Sequence, residues 1–115
     1  MTKFAPMPEP PYYAVIFANQ ASADLSGYDA MAEAMVAQAS RQPGFLGIDS
    51  TRAGGGFGIT VSYWTDEASI RNWRDNLGHM AAQKLGMERW YDHYTLRIAK
   101  VERQYEGPEG RSARQ

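Results

Sequence analysis

Cysteine is absent from the 115 residues. That excludes disulfides, thiolate nucleophiles, iron–sulfur clusters and cysteine zinc sites, and fits a reducing cytoplasm, the expected location. Long apolar runs are missing too. None approaches the ~18 residues a spanning helix needs, so no membrane partner is expected. The opening stretch "MTKFAPMPEPPYY" lacks the ~7–15-residue apolar core of a secretion signal. Charge of one sign never accumulates. Lys plus Arg number 12, Asp plus Glu 13, and the net charge is −1. Without a basic footprint, nucleic acid is not an expected partner. The two histidines, His79 and His93, share no metal-ligand spacing, so no metal site is expected.

What is present fits one small domain. Residues 1–11 hold Pro6, Pro8, Pro10 and Pro11 and read as an extended arm. Residues 107–115, "GPEGRSARQ", have little to bury and are expected to fray. The folded part is expected over 12–106.

Within it, "YYAVIFAN" (12–19) reads as a strand, apolar on both faces and therefore expected to be covered on both. Ser26, with Asp29 three residues on, resembles a capping box. Tyr28, Met31, Ala32, Met35 and Ala39 follow at helical spacing, and Pro43 ends that helix. "FLGIDSTR" (45–52) and "FGITVSYW" (57–64) read as a hairpin around Gly54–Gly56. Thr65 is the expected cap of a second helix, with Ile70, Trp73 and Leu77 as its apolar stripe and Gly78 as its stop. Residues 93–105 read as a long last strand. Tyr94, Leu96 and Ile98 share one face, while Val101 and Tyr105 take the other, which suggests a bulge or a partner subunit.

The order β-α-β-β-α-β predicts an α+β, ferredoxin-like subunit, with a four-stranded antiparallel sheet and two helices on one face. The other face carries Ala14, Ile16 and Ala18. Left bare it would be a large apolar patch, so sheet-to-sheet pairing into a homodimer is expected.

Three segments carry a family resemblance: "QPGFLG", "VSYWTDEASIRNW", and H-x-x-x-Q-x-x-G followed by W-Y-x-x-Y. In that order and spacing they resemble the antibiotic biosynthesis monooxygenase-like proteins of the dimeric α+β barrel superfamily. The resemblance implies sheet-to-sheet dimers, and activities that include cofactor-free oxygenation of aromatic polyketides and haem degradation. The haem-degrading branch is characterised by a late first-strand asparagine, a second-helix tryptophan, and a histidine about ten residues further on. Asn19 and Trp73 match the first two. Gln83 stands at the third, and glutamine is a poor iron ligand beside imidazole. Haem is therefore a possible but poorly supported ligand, and no cofactor is expected.

The candidate catalytic residues are His79 as base or donor, Asn19 as orienting donor and Trp73 as pocket wall. Phe17, Trp64 and Gln83 are candidate substrate contacts. Each also has a plain structural reading. His79 follows a helix break, Trp73 lies on an apolar stripe, and Asn19 ends a strand. The expected activity is cofactor-independent monooxygenation of a small electron-rich phenol or hydroquinone. A non-catalytic ligand-binding or stress-associated module of the same fold is the alternative.

Overall fold

The computed structural model describes residues 4–25, 28–78 and 89–108. Its elements run β1 (Tyr12–Ala21), α1 (Tyr28–Ala39), β2 (Phe45–Arg52), β3 (Phe57–Trp64), α2 (Glu67–Gly78) and β4 (Tyr91–Val101). The sheet order is β2-β3-β1-β4, antiparallel throughout, as the ferredoxin-like pattern requires.

Strand parity divides the side chains between two faces. Tyr13, Val15, Phe17 and Asn19 stand beside Trp64, Ser62, Thr60 and Gly58 of β3. Both helices pack on this side. Trp64 is fully buried there with Ala39 of α1 and Ile70 of α2, and Tyr13, Val15, Phe45 and Trp73 pack around them. Phe45 meets Trp64 edge-on at 5.4 Å, and Trp73 stacks on it at 6.1 Å. In α1, Tyr28, Ala32, Met35 and Ala39 turn inward while most of the rest are exposed, which is the stripe the spacing predicts.

Asp66, rather than Thr65, caps α2. Its Oδ1 accepts the Ser69 amide at 2.8 Å, and that bond holds the Asp66 carboxyl below the ordinary carboxylate range. Thr65 instead donates its own amide to the Gly44 carbonyl, tying the β3 end to the turn before β2. Ser26, the Met31 and Leu77 side chains, His79 and Gln83 lie outside the described residues.

Gly44 explains part of "QPGFLG". It sits at φ +86°, and a Cβ there would lie 2.0 Å from Ser69 Oγ. Gly44→Ala therefore combines backbone strain with a clash against the start of α2. The expected loss is about 2–3 kcal/mol, seen as a melting temperature lower by roughly 10 °C. An unchanged melting curve would contradict this account of the turn.

The second face carries Tyr12, Ala14, Ile16 and Ala18 beside Val101, Tyr63, Val61 and Ile59. Its Tyr12 end is covered by the chain's own arm. Ala5 donates its amide to Asp49 Oδ1 at 2.9 Å, and a Cβ on Gly47 would meet Ala5 and Met7 at 2.9 Å. Gln104 accepts from the Tyr12 hydroxyl and donates to the Pro8 carbonyl. Tyr63 donates to Asp49, and burial together with that bond pushes its phenol up to about 12. Towards the hairpin the same face opens, with Phe57 50% and Ile59 37% exposed.

β4 departs from the expected 93–105 at both ends, and its parity change needs no bulge at residues 98–101. The ladder from Tyr12↔Val101 to Gln20↔His93 is unbroken, and the irregularity lies between Gln20 and Ala21. Apolar residues occupy the helix side in the middle of the strand and the opposite side at Val101. Among the described residues, no helix is long and apolar enough to cross a membrane.

Candidate functional site

One row crosses all four strands on the helix side: Arg52 of β2, Gly58 of β3, Asn19 of β1 and Tyr94 of β4. Glycine at its second place is required by the row. A Cβ on Gly58 would come within 3.0 Å of Arg52 Cζ, so its absence lets the guanidinium cross β3 to reach β1. There Arg52 Nη2 donates to Asn19 Oδ1 at 2.7 Å and to the Tyr28 hydroxyl at 3.2 Å, while Nη1 donates to the Gly56 carbonyl at 2.5 Å. The guanidinium also lies 5.7 Å from the centre of the Tyr28 ring.

Asn19 is 2% exposed. Arginine only donates, so the atom facing it must be the amide oxygen, and Arg52 thereby fixes which way the amide lies. The nitrogen has two hydrogens to place. One reaches the Phe17 carbonyl at a long 3.4 Å; the other has no partner among the described residues. A buried amide with an uncommitted donor is costly unless something accepts from it.

Aromatic rings close the surroundings. Phe17 meets Tyr91 at 5.2 Å and Tyr94 at 5.5 Å. Tyr28 meets Trp90 edge-on at 5.5 Å and Tyr91 at 6.2 Å. Burial, then a hydrogen bond with Tyr28, raises the Tyr91 phenol above its ordinary value, and Arg52 partly opposes the rise. Tyr91 is therefore a neutral hydroxyl at physiological pH. Beyond Tyr94, β4 continues the helix side with Leu96 and Ile98, 58% and 56% exposed. The result is an exposed apolar strip on β4 that runs up to a polar corner of amide, guanidinium and phenol.

The expected residues divide between two places. Asn19 and Phe17 belong to the corner. Trp64 and Trp73 belong to the core towards the other end of the sheet. The Trp64 indole donates to Ser62 Oγ at 2.9 Å, and Ser62 pairs with Val15. Val15 is four residues from Asn19, roughly 13 Å along the strand at about 3.3 Å per residue. Trp64 is 0% exposed and packs with Ala39 and Ile70 rather than at the Asn19 corner. Trp73 is engaged by Trp64 rather than standing against Asn19. His79 and Gln83, outside the described residues, are placed in neither group. His93 pairs with Gln20 and so belongs to the helix-free side. Among the described residues, no three His, Asp or Glu side chains gather to hold a metal ion.

Arg52, Tyr28 and Tyr91 are the members that sequence reasoning missed. The available signal was Gly58, a glycine inside an otherwise β-branched and aromatic strand, which marks close approach of another group.

Residues 12–85 match the antibiotic biosynthesis monooxygenase family. The uncharacterized protein YqjZ of Bacillus subtilis (strain 168) is 52% identical over 97 residues, covering 84% of this chain and 85% of YqjZ. Among solved structures, a variant of SnoaB, a cofactor-independent oxygenase from Streptomyces nogalater, superimposes with a TM-score of 0.68. It is 13% identical, with 81% of this chain and 95% of that chain covered. PA3566 from Pseudomonas aeruginosa gives 0.63 at 17% identity, with 85% and 99% covered. At such identities the two structures speak for the fold alone. The extent of the family match and the identity to YqjZ decide membership, and the chain belongs to the antibiotic biosynthesis monooxygenase family.

Proposed function

We propose that the protein is a cofactor-independent monooxygenase acting on a small electron-rich phenol or hydroquinone. The observation that carries this is the buried Asn19 amide, oriented by Arg52 and left, among the described residues, with an N–H that has no acceptor, beside a cluster of aromatic rings. Family membership and the fold shared with a cofactor-independent oxygenase support it.

The chemistry needs no added reductant. Ground-state oxygen is a triplet and reacts with a substrate able to release one electron. Removal of the phenolic proton makes such a substrate. A phenol and O2 then give a quinone and water. A ring C–H becomes C=O, one oxygen atom enters the ring, the other leaves as water, and all four electrons come from the substrate. Asn19 is the proposed donor to the substrate oxygen as charge grows there. His79 is the proposed base, on the chemistry of imidazole near neutral pH, and Gln83 a proposed substrate contact. Phe17 and Tyr94 form the floor that holds a flat ring and keeps water away. Haem degradation fits less well, because Asn19 and Trp73 are held by different neighbours. An oxygen electrode supplies the test. Purified protein with a panel of phenols and hydroquinones, and no flavin, metal or reductant, should consume one O2 per quinone formed. No uptake across the panel would leave the non-catalytic binding module as the better reading.

The proposed working form is a cytoplasmic homodimer. Phe57 and Ile59 are open on the helix-free face, beside the half-buried Ile16 and Ala18. A second sheet laid on this face would bury them. Sedimentation at micromolar concentration is expected to show twice the 12.9 kDa chain mass. Ile16→Glu should shift the species to monomer or unfold it. A well-folded wild-type monomer would contradict the pairing.

A further inference from the structure

Arg52 has a feature that orientation of Asn19 does not require. Three of its five N–H donors go to neutral acceptors: the Gly56 carbonyl, Asn19 Oδ1 and the Tyr28 hydroxyl. No carboxylate lies within ion-pair distance of it among the described residues, where the ion pair that forms is Arg74–Asp75 on the surface. The guanidinium is pinned by these three bonds, Arg52 is exposed, and its charge is uncompensated among the described residues. Holding a cation in place against neutral partners leaves its charge available to an anionic ligand at this corner. The Tyr28 hydroxyl accepts from Arg52, and the second Asn19 N–H has no acceptor among the described residues. These donors and one full positive charge meet at one corner, with aromatic rings on the adjoining side.

We propose that this corner is an anion subsite, and that the protein selects flat aromatic ligands bearing an anionic oxygen, a carboxylate or an ionised phenol or enol. Arg52 is the specificity-determining residue, and Asn19 and Tyr28 complete the oxygen's hydrogen bonds. This deepens the proposed function and rests on it for the site. It does not rest on oxygen chemistry, because binding is measurable with ligands that cannot be oxidised.

The experiment is calorimetric titration of the full chain at neutral pH with 2-naphthoate and its neutral isostere 2-naphthamide, and with 4-nitrophenolate at slightly alkaline pH. The wild type is expected to prefer naphthoate over naphthamide by roughly tenfold or more, the scale of a charge-assisted hydrogen bond. Arg52→Gln should abolish the preference, and Arg52→Lys should keep the preference while binding more weakly. 4-Nitrophenolate binding that Arg52→Gln removes would assign ionised phenols to the subsite, and naphthoate preference alone would assign carboxylates. Equal wild-type affinity for naphthoate and naphthamide would overturn the proposal. So would a preference that survives in folded Arg52→Gln. Should Arg52→Gln not fold, the wild-type preference and its retention in Arg52→Lys decide the matter. An Arg52-dependent preference in a protein that consumes no oxygen would keep the subsite and dismiss the monooxygenase.

Discussion

Trp64→Ala is expected to leave the protein unfolded or barely folded. Trp64 is the large side chain with no exposed surface, and it joins α1, α2, β1 and β2 through Ala39, Ile70, Trp73, Val15 and Phe45. Removing such a ring costs about 3–5 kcal/mol, the lost transfer energy plus the cavity left behind. A small domain has only about 5–15 kcal/mol in total, so little remains. Trp64→Phe, which keeps an aromatic ring against Phe45, should cost much less. Urea unfolding of the two variants gives the comparison. A Trp64→Ala protein that unfolds at the wild-type urea concentration and loses only ligand affinity would make Trp64 a substrate contact.

His79→Ala is expected to lower turnover strongly without a matching effect on stability. A general base contributes roughly 10²–10⁴-fold, so oxidation of an identified phenol should fall by about 10²-fold or more. The melting temperature should hardly move, since plain polar sites carry within ~0.5 kcal/mol. His93→Ala is the control. His93 pairs with Gln20 on the helix-free side, away from Asn19, and its loss should leave turnover near wild type. Full activity in His79→Ala would make His79 a surface histidine and send the search for a base elsewhere.

The hairpin strands were legible to the residue, because glycines bracket two alternating runs and the alternation survives in the ladder. The cap of α2 was misread by one residue. Thr65 and Asp66 are both good caps, and the choice depended on Thr65 being drawn into a backbone bond with Gly44. The extent of β4 was misread because alternation alone does not say which apolar residues lie under a helix and which under nothing. Half of the candidate site was visible. Asn19 stood out as an amide at the end of an apolar strand. Its partner did not, because Arg52 reaches it across an intervening strand, and only the pairing of β2, β3 and β1 brings positions 52, 58 and 19 into one row. The tryptophans sit in the core for a physical reason. Indole suits a ligand pocket and a small core equally well, and in a domain this size the core has first claim on it.

The central claim is that the Asn19 N–H left without an acceptor among the described residues, held in place by Arg52, acts on the substrate oxygen, and Asn19→Asp tests it most directly. Aspartate preserves the shape and still accepts from Arg52, so the fold and the guanidinium stay in place. It replaces the N–H with a second oxygen that repels an anionic substrate. Oxygen consumption with an identified phenol, measured beside the melting temperature, is expected to fall by roughly 10²–10³-fold, the scale of losing one preorganised donor, while the melting temperature falls only modestly, the Arg52 pair offsetting the new oxygen's contact with the Phe17 carbonyl. Wild-type oxygen consumption in a folded Asn19→Asp protein would contradict the account.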